Sequence, residues 1–273
     1  MRRLGVAIAV LCLAAASLGV SAATPVGAAG VPGYTNVTLV NAYSFAGGHI
    51  FDGAFCVGGL LTVLSTEQSA GPTSTPSGST TINFYNSDSV SCGVDTPTAS
   101  ATVDLPDQGD VTIMAYWPAG GPQVVMLNNT IDCIASDSGR LTVRNGGDVG
   151  GTGAIDVYGT PPGGSSTKLL SNIAAGAQGT VDLPVGTYTN LIATNAGTQT
   201  QVATIANSVV VAGNSVQYAY VYGGDDGEPG GFLGATQELN TCAVTTTTAA
   251  PATTTTAPPA AAKAVQATPA FTG

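Results

Sequence analysis

Apolar and polar residues alternate along residues 141–145 and again along 154–158, with a glycine-rich loop between the two runs. In the first run leucine and valine alternate with threonine and arginine. A period of two is typical of a β-strand that buries one side and turns the other to solvent. The pattern therefore predicts a strand, a loop and a second strand, both half-buried.

The same arrangement occurs earlier in the chain. A strand pattern begins near Tyr34 and leads to Asn41, a glycine loop and Asp52. The spacing from Asn41 to Asn145 equals that from Asp52 to Asp156, at 104 positions. Near-equal offsets also relate further pairs of segments: 76–81 with 184–189, 111–117 with 216–222, and Cys133 with Cys242. We interpret the chain as two copies of one module, a first copy at 34–137 and a second copy at 138–243.

Both copies are predicted to be all-β, because no part of the chain beyond residue 22 sustains a 3.6-residue apolar period. Further short runs in the second copy cover 187–193, 200–205, 208–211 and 215–222. Such spacing indicates two tandem immunoglobulin-like antiparallel β-sandwich domains. Segments 111–117 and 216–222 are apolar or aromatic on both sides, which predicts central strands. Gly53 interrupts an alternation, and we expect a β-bulge there.

The two ends of the chain differ from the copies in composition. Residues 1–22 combine a basic start, an apolar run and small residues at the cleavage position, which predicts a secretory signal peptide. Residues 244–273 are dominated by Thr, Pro and Ala, which predicts a disordered stalk. The terminal segment from Pro269 through Phe271, Thr272 and Gly273 resembles a degenerate sortase sorting signal, and a plain disordered end is the alternative.

The chain is acidic, with six basic and sixteen acidic residues and a net charge of −10. Loss of Arg2 and Arg3 with the signal peptide leaves four basic residues and a net charge of −12. Such a surface repels phosphate backbones, so we expect no nucleic-acid partner. The predicted leader contains the long apolar run, so we expect no stable membrane span in the mature chain. A secreted or extracellular location follows, with cell-wall association left open.

Four cysteines lie beyond the leader: Cys56, Cys92, Cys133 and Cys242. An even number in an exported chain indicates disulfides, and four cysteines allow three connectivities. Cys56 and Cys92 both lack counterparts in the second copy, which favours a bond between them. Cys133 and Cys242 end the two copies, which favours a bond that joins the copies. The other connectivities remain open.

Few residues suggest catalysis or a cofactor. His49, near Asp52, is the single imidazole, and neither is accompanied by a nucleophile motif, so we favour a structural histidine. The glycine loop 150–153 lacks the lysine and the following helix of a phosphate-binding loop. We therefore predict no catalytic residues and no cofactor.

Two weaker binding hypotheses remain. Asp225, Asp226 and Glu228 crowd one loop and are weak calcium candidates, although acidic hairpin tips also occur for solubility alone. A sugar-stacking platform would need exposed aromatic side chains, whereas alternating aromatics more often pack a core. Its candidates are Tyr116, Trp117, Tyr218, Tyr220 and Tyr222. Lys168 is the only lysine within either copy, so a lysine–asparagine cross-link is restricted to the second copy.

The order of these features resembles the secreted bacterial family catalogued as domain of unknown function 4397. The matching segments are 140–144, 154–158, 183–188 and 216–222. The resemblance covers 138–241 well and 35–135 loosely. Members often carry His-Ala-Ser-Pro after the first strand, whereas this chain has 145–148 and 41–44 there without histidine. The resemblance implies exported tandem sandwiches at cell surfaces and implies no reaction.

The sequence thus predicts a non-enzymatic secreted or cell-envelope protein with a structural or adhesive role. Its expected partner is a cell-wall polysaccharide, a surface polysaccharide or a protein. The second hypothesis is a ligand-binding module for carbohydrate or calcium-assisted contact. The third is a hydrolase whose site assembles only in the fold.

Overall fold

The computed structural model describes residues 31–44, 52–65, 67–87, 89–118, 120–147, 153–224 and 230–239. All regular structure in these ranges is β-strand, which confirms the all-β prediction. Among these residues there is no helix long and apolar enough to cross a membrane. The strands in chain order are β1 (Tyr34–Ser44), β2 (Asp52–Val57), β3 (Leu60–Ser65), β4 (Gln68–Pro76), β5 (Gly78–Tyr85), β6 (Ala99–Leu105), β7 (Asp110–Tyr116), β8 (Gln123–Asn128), β9 (Ser138–Gly146), β10 (Ala154–Thr160), β11 (Thr167–Ala174), β12 (Gln178–Pro184), β13 (Gly186–Asn195), β14 (Gln201–Val211), β15 (Ser215–Gly224) and β16 (Gly230–Glu238).

The first eight strands and the last eight follow the same pairing scheme. The first copy contains the sheets β4–β1–β7–β8 and β3–β2–β5–β6. The second contains β12–β9–β15–β16 and β11–β10–β13–β14. Neighbours within a copy are antiparallel, except that the first and seventh strands are parallel in both copies. The predicted tandem β-sandwiches are therefore confirmed.

Each sandwich buries an apolar core between its two sheets. The core of the first copy includes Phe55 and Phe84, whose ring centroids are 5.1 Å apart. The core of the second copy includes Leu141, Val143 and Ile155, all fully buried. Burial of each such side chain stabilises the fold by about 1.5–3 kcal/mol before entropy is counted.

The two copies also share an apolar interface, because sheet β4–β1–β7–β8 packs against sheet β12–β9–β15–β16. This interface buries side chains from both copies, among them Val40, Met114, Tyr116, Val216, Tyr218 and Tyr220. At one corner the backbones of Tyr43 and Ser44 in β1 pair in parallel with Gly223 and Gly224 in β15. The described residues all belong to one compact unit.

The strands that meet at this interface are buried on both sides. Every residue of β7 is buried, which confirms the prediction of a central strand. For β9 the expectation of one solvent-facing side is wrong, because Thr142 and Arg144 are as buried as Leu141 and Val143. The reason is that the first copy covers the side of β9 that an isolated sandwich would turn to water.

The turn segments matched at the sequence level occupy equivalent places, since 76–78 joins β4 to β5 and 184–186 joins β12 to β13. The expected bulge at Gly53 is wrong, because β2 pairs with β3 without a register shift. A Cβ atom at Gly53 would lie 2.5 Å from the Phe84 ring, so the glycine makes room for that ring. Residues 201–205 and 208–211 belong to one strand, β14. Strands β11, β12 and β16 lie outside the runs that alternation indicated.

The first strand, β1, begins and the last strand, β16, ends at the same end of the two sandwiches. The beginnings of β1 and β7 pair with each other, and the end of β8 pairs with the beginning of β7. In the second copy the beginnings of β9 and β15 pair, and Glu238 at the end of β16 pairs with Ser215. Since β1 and β15 run parallel, Tyr34 and Glu238 lie toward one end and the corner at Gly223 lies toward the other.

Candidate functional site

Arg144 is the largest fully buried side chain among the described residues, and it lies at the interface between the copies. The two-residue period of β9 turns it toward the first copy. Its Nη1 donates to Thr112 Oγ1 at 2.7 Å and to Tyr220 Oη at 2.9 Å. Its Nε donates to Gln178 Oε1 at 3.1 Å, and its Nη2 donates to Asn129 Oδ1. The guanidinium therefore binds groups of both copies.

Asp110, at the beginning of β7, supplies the opposite charge. Asn129 donates through Nδ2 to Asp110 Oδ1 while its Oδ1 accepts from Arg144, so one amide bridges the two charged groups. Gln237 of β16 donates to Asp110 Oδ2 at 2.9 Å. Burial raises the pKa of the Asp110 carboxyl, while the hydrogen bonds from Asn129 and Gln237 and the charge of Arg144 act to lower it.

Two tyrosine rings enclose the Arg144 guanidinium. Its central carbon lies 4.5 Å from the ring centroid of Tyr218 and 5.6 Å from that of Tyr220, within cation–π range. The Tyr218 hydroxyl donates to Gln237 Oε1 at 3.0 Å. Burial raises the pKa of both phenols, so they stay neutral at neutral pH. A buried charge whose hydrogen bonds are satisfied in one arrangement favours that arrangement of the sheets over others.

The tyrosines considered for a sugar platform belong to the same interface, whereas Trp117 packs against the core of the first copy. Tyr116, Tyr218 and Tyr220 are buried, and Trp117 and Tyr222 are half-buried. Tyr220 also stacks on Phe232 of β16 with a centroid distance of 4.9 Å. The three buried rings pack between the copies and present no face on which a sugar could stack.

The asparagine found late in the first strand of each copy has a structural role. Asn145 Nδ2 donates to the carbonyl oxygens of Gly153 at 3.0 Å and Ile173 at 2.9 Å. Asn41 Nδ2 in the first copy donates to the carbonyl oxygen of Leu64 at 3.0 Å. In both copies the amide therefore ties the end of the first strand to the edge strand of the opposite sheet.

The aspartate of the second copy's motif, Asp156, binds three donors. Its Oδ1 accepts from Asn172 N at 2.8 Å, and its Oδ2 accepts from Gly197 N at 3.0 Å and from Lys168 Nζ at 2.6 Å. The Asp156 side chain is 2% exposed and that of Lys168 is 40% exposed. Burial alone would raise the pKa of Asp156, but the three donors outweigh it and the pKa is lowered. Lys168, considered above for a cross-link, thus forms an ion pair with Asp156.

Replacement of Asp156 by asparagine should reduce the free energy of unfolding by about 1–3 kcal/mol at neutral pH, because buried donors lose an ionised acceptor. The folded pKa is lowered, so this contribution is complete above the ordinary value of 3.8 and is lost as the pH falls below it. Urea unfolding at pH 7 and pH 3 should therefore show a smaller difference between wild type and variant at pH 3.

Asp104→Asn serves as the matched control, because Asp104 is an exposed carboxylate on β6. Its unfolding free energy should stay within about 0.5 kcal/mol of wild type. Equal losses for the two variants, or a pH-independent loss for Asp156→Asn, would contradict a role for the buried carboxylate.

Several predicted site residues fall beyond what the structure describes. His49 and the calcium candidates Asp225, Asp226 and Glu228 lie outside the described residues. The backbone of Asp52 pairs with Ser65 in β3. Within the described ranges no three His, Cys, Asp or Glu side chains are grouped closely enough to hold a metal ion.

The cysteine predictions have two outcomes. Cys56 and Cys92 form a disulfide with a Cα–Cα distance of 5.7 Å, as predicted. Cys133 is also disulfide-bonded. Its predicted partner, Cys242, lies outside the described residues, so a bond between the ends of the two copies stays a prediction.

Sequence analysis did not single out Arg144, Asp110, Asn129 or Gln237 as a network. Alignment of the two copies could have indicated it, because the residue of the first copy that aligns with Arg144 is Val40. An arginine that replaces a valine at a strand position with apolar neighbours indicates a polar partner on an otherwise apolar surface.

Comparisons with known proteins give little further information. No protein-family model and no curated protein matches the chain. The structure of the Bacillus anthracis TIE protein matches at 11% identity and a TM-score of 0.25, covering 72% of this chain and 34% of that one. A leucine-rich repeat protein from Bacteroides thetaiotaomicron matches at 13% identity and a TM-score of 0.20, covering 77% of this chain and 27% of that one. The chain thus spans about a third or less of these structures, and such distant likeness carries no functional argument.

Proposed function

We propose that this chain is a non-enzymatic protein of the cell envelope or the extracellular space, with a structural or adhesive role. The observation that supports it most is the Arg144 network. The buried polar and aromatic side chains between the copies bind one another, and their bonds hold two sandwiches in one arrangement. A paired scaffold of this kind suits a protein that presents or spaces surfaces, and the resemblance to exported tandem-sandwich proteins points the same way.

The disulfide supports the proposed location. Disulfides persist in oxidising compartments and are rare in the reducing cytosol. The bond between Cys56 and Cys92 therefore agrees with export directed by residues 1–22. The alternative of carbohydrate binding on aromatic rings loses support, because three of its candidate tyrosines are buried.

Export can be tested through the thiols. The full chain expressed in a bacterium should be recovered outside the cytoplasm with its cysteines protected from alkylation under denaturing conditions. A variant lacking residues 2–22 should stay in the cytoplasm with reactive thiols, and mass spectrometry after alkylation distinguishes the two. Retention of the full chain in the cytosol with reduced thiols would refute the proposed location.

The role at the surface needs a separate measurement. The exported chain should bind an isolated cell-wall polysaccharide, a surface glycan on an array, or intact cells, without chemical change to the bound material. Turnover of ester, peptide or glycoside substrates by the purified chain would contradict a non-enzymatic role and would favour the hydrolase hypothesis.

A further inference from the structure

Strand β3 is the terminal strand of sheet β3–β2–β5–β6, and no described strand lies beyond it. It pairs with β2 over six consecutive residue pairs without a register shift. Leu60, Leu61 and Val63 are 67%, 45% and 42% exposed. A regular apolar edge strand of this kind is a template for pairing with another chain.

The equivalent strand of the second copy, β11, is protected in ways that β3 lacks. Its pairing with β10 contains two register shifts. Asn172 within it adopts a left-handed backbone, with φ at 54°. Lys168 adds a charge at its beginning. Bulges and lysines are the features by which natural edge strands avoid association, so the fold itself does not require an open, apolar β3.

Every second residue of β3 directs its backbone N–H and C=O groups away from β2, where a new partner strand could bind them. Val57 and Leu60 flank the two-residue turn at Gly58 and Gly59, whose φ angles are 55° and 86°. The pair that flanks such a turn is hydrogen-bonded, and every second pair along the ladder follows it. The N–H and C=O groups of Leu61 and Val63 therefore point away from β2.

We propose that β3 pairs antiparallel with β3 of a second copy of this chain, with a two-fold axis at Thr62. In this register Leu61 lies opposite Val63 of the second molecule, and Val63 lies opposite its Leu61. Their outward backbone groups form four N–H···O bonds, and the apolar side chains meet in two cross-strand pairs. The two sheets join into one eight-stranded sheet.

The absence of charge on this edge favours a second copy over other partners. Residues 53–66 contain no charged side chain, although the chain as a whole carries a net charge of −10. Two copies meeting at β3 bring no like charges into opposition there, and a basic partner would find no carboxylate on the strand. Because a two-fold contact uses the same surface twice, an edge with the sequence Leu-Thr-Val at its centre matches itself.

Because β3 has only six residues, we expect the contact to bury less than the roughly 1,200–2,000 Å² of a stable complex and the association to be weak, detectable on the order of 0.1 mM. Sedimentation equilibrium of the chain without its predicted leader should show a monomer–dimer equilibrium. Leu61→Lys and Val63→Lys combined should raise the dissociation constant by about tenfold or more, because like charges then face each other across the axis. Val210→Lys is the matched control, since Val210 is an exposed valine on the terminal strand β14, and it should change nothing.

Cross-linking tests the register. Residues at the two-fold axis form a pair without hydrogen bonds, with Cα atoms about 4.5 Å apart, which suits a disulfide. Thr62→Cys should give covalent dimers under mild oxidation, while Ser171→Cys on β11 should not. A chain that stays monomeric to about 1 mM, lysines that leave association unchanged, or equal cross-linking of both variants would overturn the proposal. So would a monomer that takes up an extended peptide at β3, because the edge would then serve a different partner.

This inference does not depend on the proposed surface role. A chain that dimerises through β3 but remains in the cytosol would keep the inference and refute the location. An exported chain that stays monomeric would do the reverse.

Discussion

Replacement of Arg144 by methionine should lower the free energy of unfolding by about 3–5 kcal/mol, the usual cost of removing one member of a buried charge network. Asp110 would keep its buried carboxylate without the guanidinium, and Asn129, Thr112 and Gln178 would lose a donor. Because these contacts join the copies, we also expect unfolding to separate into two transitions. Urea unfolding followed by tyrosine fluorescence and by circular dichroism measures both effects.

The loss should depend on pH. The folded pKa of Asp110 is raised, so the folded state takes up a proton before the unfolded chain does as the pH falls. Ionised Asp110 therefore opposes folding above its folded pKa, and stability is regained as the pH falls from there toward 3.8. In Arg144→Met this recovery should be larger, because the charge that lowers the pKa of Asp110 is gone.

Arg140→Met is the matched control, since the substitution is the same and the strand is the same. Arg140 binds Asp182, whose side chain is 48% exposed and can be hydrated when the arginine is lost. The control should therefore lose clearly less stability. Adding Asp110→Asn to Arg144→Met should restore part of the loss. An Arg144→Met chain that unfolds at the wild-type urea midpoint would show that the network does not hold the copies together.

Replacement of both Cys56 and Cys92 by alanine should lower the free energy of unfolding by about 3–4 kcal/mol. The bond spans 36 residues, and closing a loop of that length restricts the unfolded chain by this amount in the chain-entropy description. Alanine is preferred to serine because Cys56 is buried beside Ala54 and Tyr85, and the hydroxyl of a serine would have to be removed from water there. Urea unfolding under non-reducing conditions measures the loss.

The loop that Cys92 holds should respond as well. In the double alanine variant, limited proteolysis should cut within 89–98 faster than in wild type. Val94→Ala is the control for this loop, because Val94 is 81% exposed, and it should alter neither stability nor cleavage. Unchanged unfolding of the double variant would mean that packing around Tyr85 suffices to hold the loop.

Local pattern was enough to predict the duplication and the β-structure. The equal spacing of Asn41 with Asn145 and of Asp52 with Asp156 reflects equivalent positions in β1 and β9 and in β2 and β10. The side chains of Asn41, Asn145 and Asp156 bind backbone groups of neighbouring strands and loops, so the spacing of these motif residues is part of the fold. The cysteine pair without counterparts was also informative, since two cysteines that both lack an equivalent in the other copy are most simply bonded to each other.

The packing of one copy on the other could not be predicted from alternation. A polar residue on every second position of β9 has the same pattern whether water or another sheet covers it, and only the second case buries Arg144. The clue lay in β15, where tyrosines at 218 and 220 alternate with core residues. A strand that is apolar on both sides must pack against another layer on each side, and a single sandwich provides only one such layer. β11 was missed because its residues Leu169 and Leu170 are adjacent and break the alternation, and β12 was missed because it contains only two large apolar residues, Val181 and Leu183.

The parallel pairing of β1 with β15 determines how the molecule can be attached. Because β1 runs parallel to β15 and β16 runs back along β15, β1 begins and β16 ends at the same end of the two sandwiches, and a tether attached before β1 or after β16 holds them by that end. Because the second sandwich lies beside the first, it makes the protein wider and does not increase the distance between the attached end and the opposite end. Distance from a surface would then have to come from residues outside the sandwiches.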